Sequence, residues 1–215
     1  MTPPSRRRIV VIDSGVDPQH PLVRGRALCV DGGTFGPAGC TAGTALEDQL
    51  GHGTAVAATI LQFAAGPESG VELVSVRIFE RHPICDFEAV LPALRHALSL
   101  SPGLVNLSLG TTSLRHRTAL EQCLALAAPQ GTRIVAPATY GGLPCDPGML
   151  AGIEAVVADP NVLPMLPELR PHAGRLLWFA SPLPPKDPDG VRRLVARGDS
   201  LAVAAVSGCL LQRSR

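Results

Sequence analysis

Short runs of β-branched and aliphatic residues alternate along this chain with helix-length apolar stretches, and that alternation limits the folds open to it more than any other feature. Arg8–Asp13 (RIVVID), Val71–Phe79, Leu104–Leu109, Arg133–Ala138, Gly152–Ala158 and Arg175–Ala180 read as strands. Gly51–Ala65, Asp86–Leu100, Arg115–Ala128 and the stretch opened by Ser200 read as helices. Strands separated by helices run parallel, and a parallel sheet needs both of its faces covered. The expected fold is therefore α/β, a mostly parallel sheet with helices on both faces. A length of 215 residues suits a single domain over 1–215 with one substantial core.

Finer expectations follow from local chemistry. Asp86 is placed to cap the second helix, and Pro92 should delay the start of that helix or kink it. Thr34–Asp48, rich in Gly, Thr and Ala, reads as a loop, and the proline-rich Asp159–Pro188 as a surface excursion. Apolar residues make up 46% and charged residues 17%, with 22 glycines and 21 prolines, a balance that gives a turn-rich globular chain and excludes a disordered one.

Net charge is +1, and the small basic cluster Arg6–Arg8 is not followed by a basic face with interleaved aromatics, which argues against a nucleic-acid partner. The opening MTPPSRRRIVVID lacks the pattern of a secretory signal. The longest apolar runs, such as Leu201–Val206, fall well short of the roughly 20 residues that cross a bilayer. A soluble, cytoplasmic protein with no membrane partner is expected. Its six cysteines, Cys29, Cys40, Cys85, Cys123, Cys145 and Cys209, form no CxxC pair and read as reduced packing residues, with Cys29 and Cys40 the one pair worth checking for a disulfide.

Functional groups in open α/β sheets gather at the carboxyl ends of strands and at the following helix N-termini. Asp13, His52 and Ser200 fall in such places. A hydroxyl attacks a carbonyl, an imidazole takes its proton and later gives it to the leaving group, and a buried carboxylate orients that imidazole, so this set suits nucleophilic acyl transfer. His20, His82, His96, His116 and His172 show no ligand-like spacing and no calcium loop is present in the sequence, so neither a metal nor a cofactor is called for. Asn106, inside VNLSLG, reads as a buried hydrogen-bonding asparagine.

VIDSGVD around Asp13, GHGTAVAATI around His52, VNLSLG at Val105–Gly110 and GDSLAVAAVSG around Ser200 resemble, in that order, the signature segments of the subtilisin-like serine proteases. The resemblance runs from about residue 8 to residue 212 and implies the three-layer sandwich of that family. It also implies that Asp13 orients His52, that His52 is the general base and that Ser200 is the nucleophile. The backbone N–H of Ser200, at the positive end of its helix, would be one oxyanion donor. Ser108, Leu109 and Gly110 match the strand that pairs with the substrate backbone and lines the first specificity pocket.

Departures from the family pattern bear on rate. The Asn that usually gives the second oxyanion hydrogen bond is missing from Ala136–Gly141; Tyr140 takes its position and Thr139 precedes it, so either hydroxyl is a candidate donor. Losing such a donor costs roughly 3 to 4 kcal/mol of transition-state stabilisation. Asp199 replaces the Thr that normally precedes the nucleophile, and Ala204 replaces a Pro usual in that helix. The expectation is a pared-down, propeptide-free catalytic domain, similar to the small subtilases that serve peptide-modifying enzymes, the maturation protease of quinohemoprotein amine dehydrogenase among them. Its substrate would be a leader-bearing peptide or protein precursor, and a peptide-modifying enzyme its partner.

Two rivals stand beside this reading. The letters GDSL name a family of esterases, but there the nucleophile motif opens the chain and the histidine follows it, whereas here no histidine follows Ser200. The second rival is a binding or scaffold protein that keeps the three residues and catalyses poorly.

Overall fold

The computed structural model describes residues 5–63, 70–184 and 198–213. The expected end of the first helix at Ala65 and the last residues of the Asp159–Pro188 stretch lie outside these. In chain order the elements are β1 (Ser5–Asp13), β2 (Leu28–Gly36), β3 (Gly39–Thr41), α1 (His52–Gln62), β4 (Glu72–Arg77), α2 (Phe87–Ser99), β5 (Pro102–Leu107) and α3 (Arg117–Leu124). They continue with β6 (Arg133–Pro137), β7 (Thr139–Tyr140), β8 (Leu143–Pro144), β9 (Glu154–Ala158), β10 (Glu168–His172), β11 (Arg175–Ala180) and α4 (Asp199–Arg213).

Nine strands form one sheet in the order β10-β11-β9-β6-β5-β1-β4-β2-β3. The seven inner strands are parallel, and β3 and β10 close the two edges antiparallel. Because side chains alternate across a strand, β1 divides its apolar residues between two cores. Ile9 and Val11 join Leu73, Leu104, Val135 and Val156 beneath α1 and α4. Val10 and Ile12 join Val74, Val105 and Ile134 against α2 and α3. The same alternation turns Asp13, two residues beyond Val11, toward the α1 and α4 face.

Both helices of that face are built to be enclosed. Residues Leu201 to Leu211 of α4 are all buried, as are Gly53 to Leu61 of α1. A helix that is apolar on every side takes its stability from packing rather than from propensity. The expected three-layer α/β sandwich is the fold observed.

Several local expectations need correction. The stretch read as a loop from Thr34 to Asp48 contains the end of β2 and all of β3, paired as a hairpin through Thr34–Thr41 and Phe35–Cys40. Asp86 occupies the N-cap position of α2 without a side-chain cap; its main-chain carbonyl takes the Ala89 N–H at 3.0 Å while the residue lines a cleft. Pro92 sits inside α2, which begins at Phe87 and so does not start late. The third helix is only eight residues long, flanked by 3₁₀ turns at Leu114–His116 and Ala128–Gln130. All six cysteines are free thiols, so Cys29 and Cys40 are unbridged, and Cys40 is exposed rather than packed.

Candidate active site

The carboxyl ends of β1 and β5 and the N-termini of α1 and α4 meet at one side of the sheet, the place where such folds assemble their reactive groups. Gly53 lets α1 approach. A Cβ at this position would lie 2.1 Å from the Gly15 carbonyl oxygen and 3.1 Å from the Asp13 Cβ. With glycine there, the first turn of α1 docks on the end of β1 and carries its first residue, His52, to Asp13.

His52 Nδ1 lies 2.6 Å from Asp13 Oδ1, and the same oxygen accepts the Ser14 N–H at 2.8 Å. The Asp13 side chain is 1% exposed and that of His52 23%, so the pair is shielded at the acid and open at the imidazole. Burial pulls the His52 pKa down, but the hydrogen bond and charge of Asp13 and the charge of Asp48 outweigh it, and the imidazole is raised above its ordinary 6.5.

Ser200 is the second residue of α4 and shares with His52 a cleft of about 830 Å³. Its hydroxyl donates to the Ser108 carbonyl at 3.4 Å. Ser108, Leu109 and Gly110 follow directly on β5 and line this cleft, as do Pro137 and Tyr140. Among the residues named as oxyanion donors, Tyr140 lines the cleft and Thr139 does not, as expected of neighbours on one strand. Asp199 also lines the cleft, half-buried, and desolvation raises its carboxyl pKa; among the described residues no ion pair holds it.

Asn106 behaves as expected and does more. Fully buried, it donates from Nδ2 to Ser108 Oγ at 2.8 Å and accepts from Ser207 Oγ at 2.9 Å. It thus ties the wall after β5 to the middle of α4, fixing Ser200 against Ser108. Asn106→Ala strands two buried hydroxyls and is expected to cost about 1 to 3 kcal/mol, read as a lowered thermal midpoint.

One residue of the site was not foreseen. Asp48 gathers the amides and hydroxyls at the start of α1, and its signal was present as an Asx residue whose side chain bonds the backbone two and three residues on. The Gly-, Thr- and Ala-rich composition of Thr34–Asp48 masks that signal.

A sequence model of the subtilase family matches residues 7–140, which include Asp13, His52 and Ser108–Gly110 and stop short of Ser200. A subtilisin-like protease of Coccidioides posadasii is 33% identical over 109 residues, or 47% of this chain and 25% of that protein. The chain thus spans about a quarter of the length of this curated relative. Among solved structures, a cold-adapted subtilisin-like serine proteinase shares the fold at TM-score 0.66 and 22% identity, covering 94% of this chain and 72% of that one. The nisin leader peptidase NisP of Lactococcus lactis superposes at TM-score 0.67 with 17% identity over 97% of this chain and 78% of its own. The protease domain of PatA does so at TM-score 0.64 with 21% identity, over 97% and 79%. With a family match covering more than half its residues and that family's sheet and helix arrangement, the chain belongs to the subtilase family.

Proposed function

We propose that this chain is a serine endopeptidase that removes a leader from a peptide or protein precursor in the cytoplasm, its catalytic domain extending over residues 1–215. The observation that carries the reading is the Asp13–His52 pair at 2.6 Å opening on the cleft that Ser200 lines. Ser200 Oγ attacks the scissile carbonyl carbon as His52 Nε2 takes its proton, while Asp13 holds the Nδ1–H and stabilises the imidazolium. His52 then protonates the leaving amine, and a water activated by His52 hydrolyses the acyl ester. The oxyanion is met by the Ser200 N–H in the first turn of α4, with the Tyr140 hydroxyl as second donor. The leader-removing role is supported by fold likeness to a leader peptidase and by the same fold in the PatA protease domain.

The geometry beside Ser200 also favours a small, uncharged residue before the cut. Cys145 fills the space between the Ser108–Gly110 wall and β6: its thiol donates to the Pro137 carbonyl at 3.2 Å, and a Cβ on Gly110 would meet its Sγ at 2.6 Å. Asp146, at the same end, is 1% exposed and neutralised by a bidentate Arg117, at 2.9 and 3.0 Å. Peptides with Ala before the scissile bond are expected to be cut about 10- to 100-fold faster than those with Phe or Arg, and Cys145→Gly to narrow that gap, measured as kcat/KM.

A fluorophosphonate probe tests the reaction class. Label on Ser200 that falls sharply in Asp13→Ala and His52→Ala supports the acyl-enzyme route, and cleavage of leader-bearing precursors with little casein degradation supports dedicated processing. The Ser200 hydroxyl's bond to Ser108, and the Asp199 carboxylate beside it, favour a second reading, a catalytically weak binding protein in a maturation complex with a peptide-modifying enzyme. Precursor capture without labelling supports that one.

A further inference from the structure

We propose that Asp48 is a positioning residue for His52, its carboxylate clamping the first turn of α1 to the end of β1 and its negative charge acting on the imidazole. The proposal rests on the reading of His52 as general base. Asp48 Oδ1 accepts from the Ser14 hydroxyl at 2.8 Å and from the N–H groups of Leu50 and Gly51 at 3.1 and 2.8 Å. Oδ2 accepts from the Thr54 N–H at 2.8 Å and the Thr54 hydroxyl at 2.6 Å. Every one of these donors is neutral, so the carboxylate is held and solvated by the protein while its charge stays uncancelled.

The donors are placed around the reactive pair. Leu50, Gly51 and Thr54 bracket His52 along the chain, and Ser14 follows Asp13. Ser14 is the second link. Its hydroxyl accepts the Gly53 N–H at 2.9 Å and its N–H donates to Asp13 Oδ1, so one serine joins Asp48, the helix start and the orienting acid. The Asp48 carboxylate also sits at the positive end of α1, where an anion is favoured. Displacing it loosens the turn that aims the imidazole and removes a negative charge that favours its protonated form.

Other titratable groups line the same cleft from the remaining elements. Asp13 faces the imidazole from β1, and the cleft is also lined by Asp199 of α4, Asp86 and Glu88 at the start of α2, Asp146, and Arg115 with His116. The charges that raise the imidazole's pKa are those of Asp13 and Asp48.

The experiment compares Asp48→Asn and Ser14→Ala with the wild-type chain, following the His52 imidazole by carbon-detected NMR titration and kcat and KM across pH on a cleaved precursor. Asp48→Asn is expected to move the His52 midpoint and the rising limb of kcat/KM together to lower pH, and to lower kcat on the order of 10²-fold with KM nearly unchanged. Ser14→Ala keeps the charge and is expected to lower kcat while leaving the midpoint in place. A folded Asp48→Asn with wild-type midpoint and wild-type kcat overturns the proposal, as does a loss of thermal stability alone. Should Asp48→Asn not fold, Thr54→Val removes one donor and keeps the charge; a lowered kcat at an unchanged midpoint then supports the proposal, and an unchanged kcat sinks it. A wild-type chain that leaves the probe unbound defeats the endopeptidase reading, whereas the NMR titration still decides the part played by Asp48.

Discussion

Ser200→Ala is expected to lower kcat for peptide-bond hydrolysis by about 10⁶-fold, the largest single effect available in this chain. In the proposed mechanism the Ser200 hydroxyl oxygen forms the acyl ester, and without that hydroxyl His52 has no proton to remove. Its removal costs the fold little: among the described residues the hydroxyl makes one hydrogen bond, the long one to the Ser108 carbonyl, and α4 is held by its buried residues from Leu201 onward. The variant should therefore unfold at the wild-type temperature and still bind its precursor. Active-site titration with stoichiometric precursor, run beside a melting curve, checks both halves. Residual turnover within tenfold of wild type would place the nucleophile elsewhere.

Asp13→Asn is expected to lower kcat by about 10⁴-fold. An asparagine at this site presents either an oxygen or an NH₂ to His52 Nδ1. When the NH₂ faces it, Nδ1 becomes the acceptor, the proton moves to Nε2, and the imidazole can no longer take the Ser200 proton. The pH profile gives an independent sign. A general base must be neutral, so wild-type kcat/KM is lost as pH falls through the His52 pKa, which lies above the ordinary 6.5. Asp13→Asn removes the negative charge that helps to raise it, and the rising limb of the variant should move to lower pH. A limb that stays in place would mean that another group sets it.

How much of this was legible in the sequence depended on how local the signal was. Runs of aliphatic residues gave β1, β4, β5, β6, β9 and β11 because an inner parallel strand is buried on both faces and carries little else. β2 was missed because Gly32 and Gly33 interrupt it. The structure needs Gly32 there: a Cβ would meet the Ser75 carbonyl oxygen and the Val74 and Val76 side chains at 2.7 to 2.8 Å, beside a register shift against β4. Pro171 hid β10, and it is tolerated because that strand is an edge. The β7–β8 hairpin turns on Gly141 and Gly142, both at positive φ, a two-glycine signal too short to stand out between breakers. The pairing of Asp13 with His52, and the placing of Ser200 on the same cleft, were legible from their flanking motifs. Asp48 was not, since its role depends on donors supplied by Ser14, distant in sequence, as well as by its neighbours.

The burial of α4 also sets the order in which this molecule acquires its chemistry. Residues 13 and 52, with the sheet and α1 that hold them, precede α4 in chain order. The nucleophile rides on a helix that touches α1 and the strands β1, β5, β6, β9 and β11, so its docking waits for contacts across most of the chain. A copy that ends before α4 carries Asp13 and His52 without Ser200, and on the proposed mechanism it has no nucleophile. On the proposed mechanism, reactivity is withheld until α4 docks, which would spare the nascent chain and its neighbours from cleavage during synthesis.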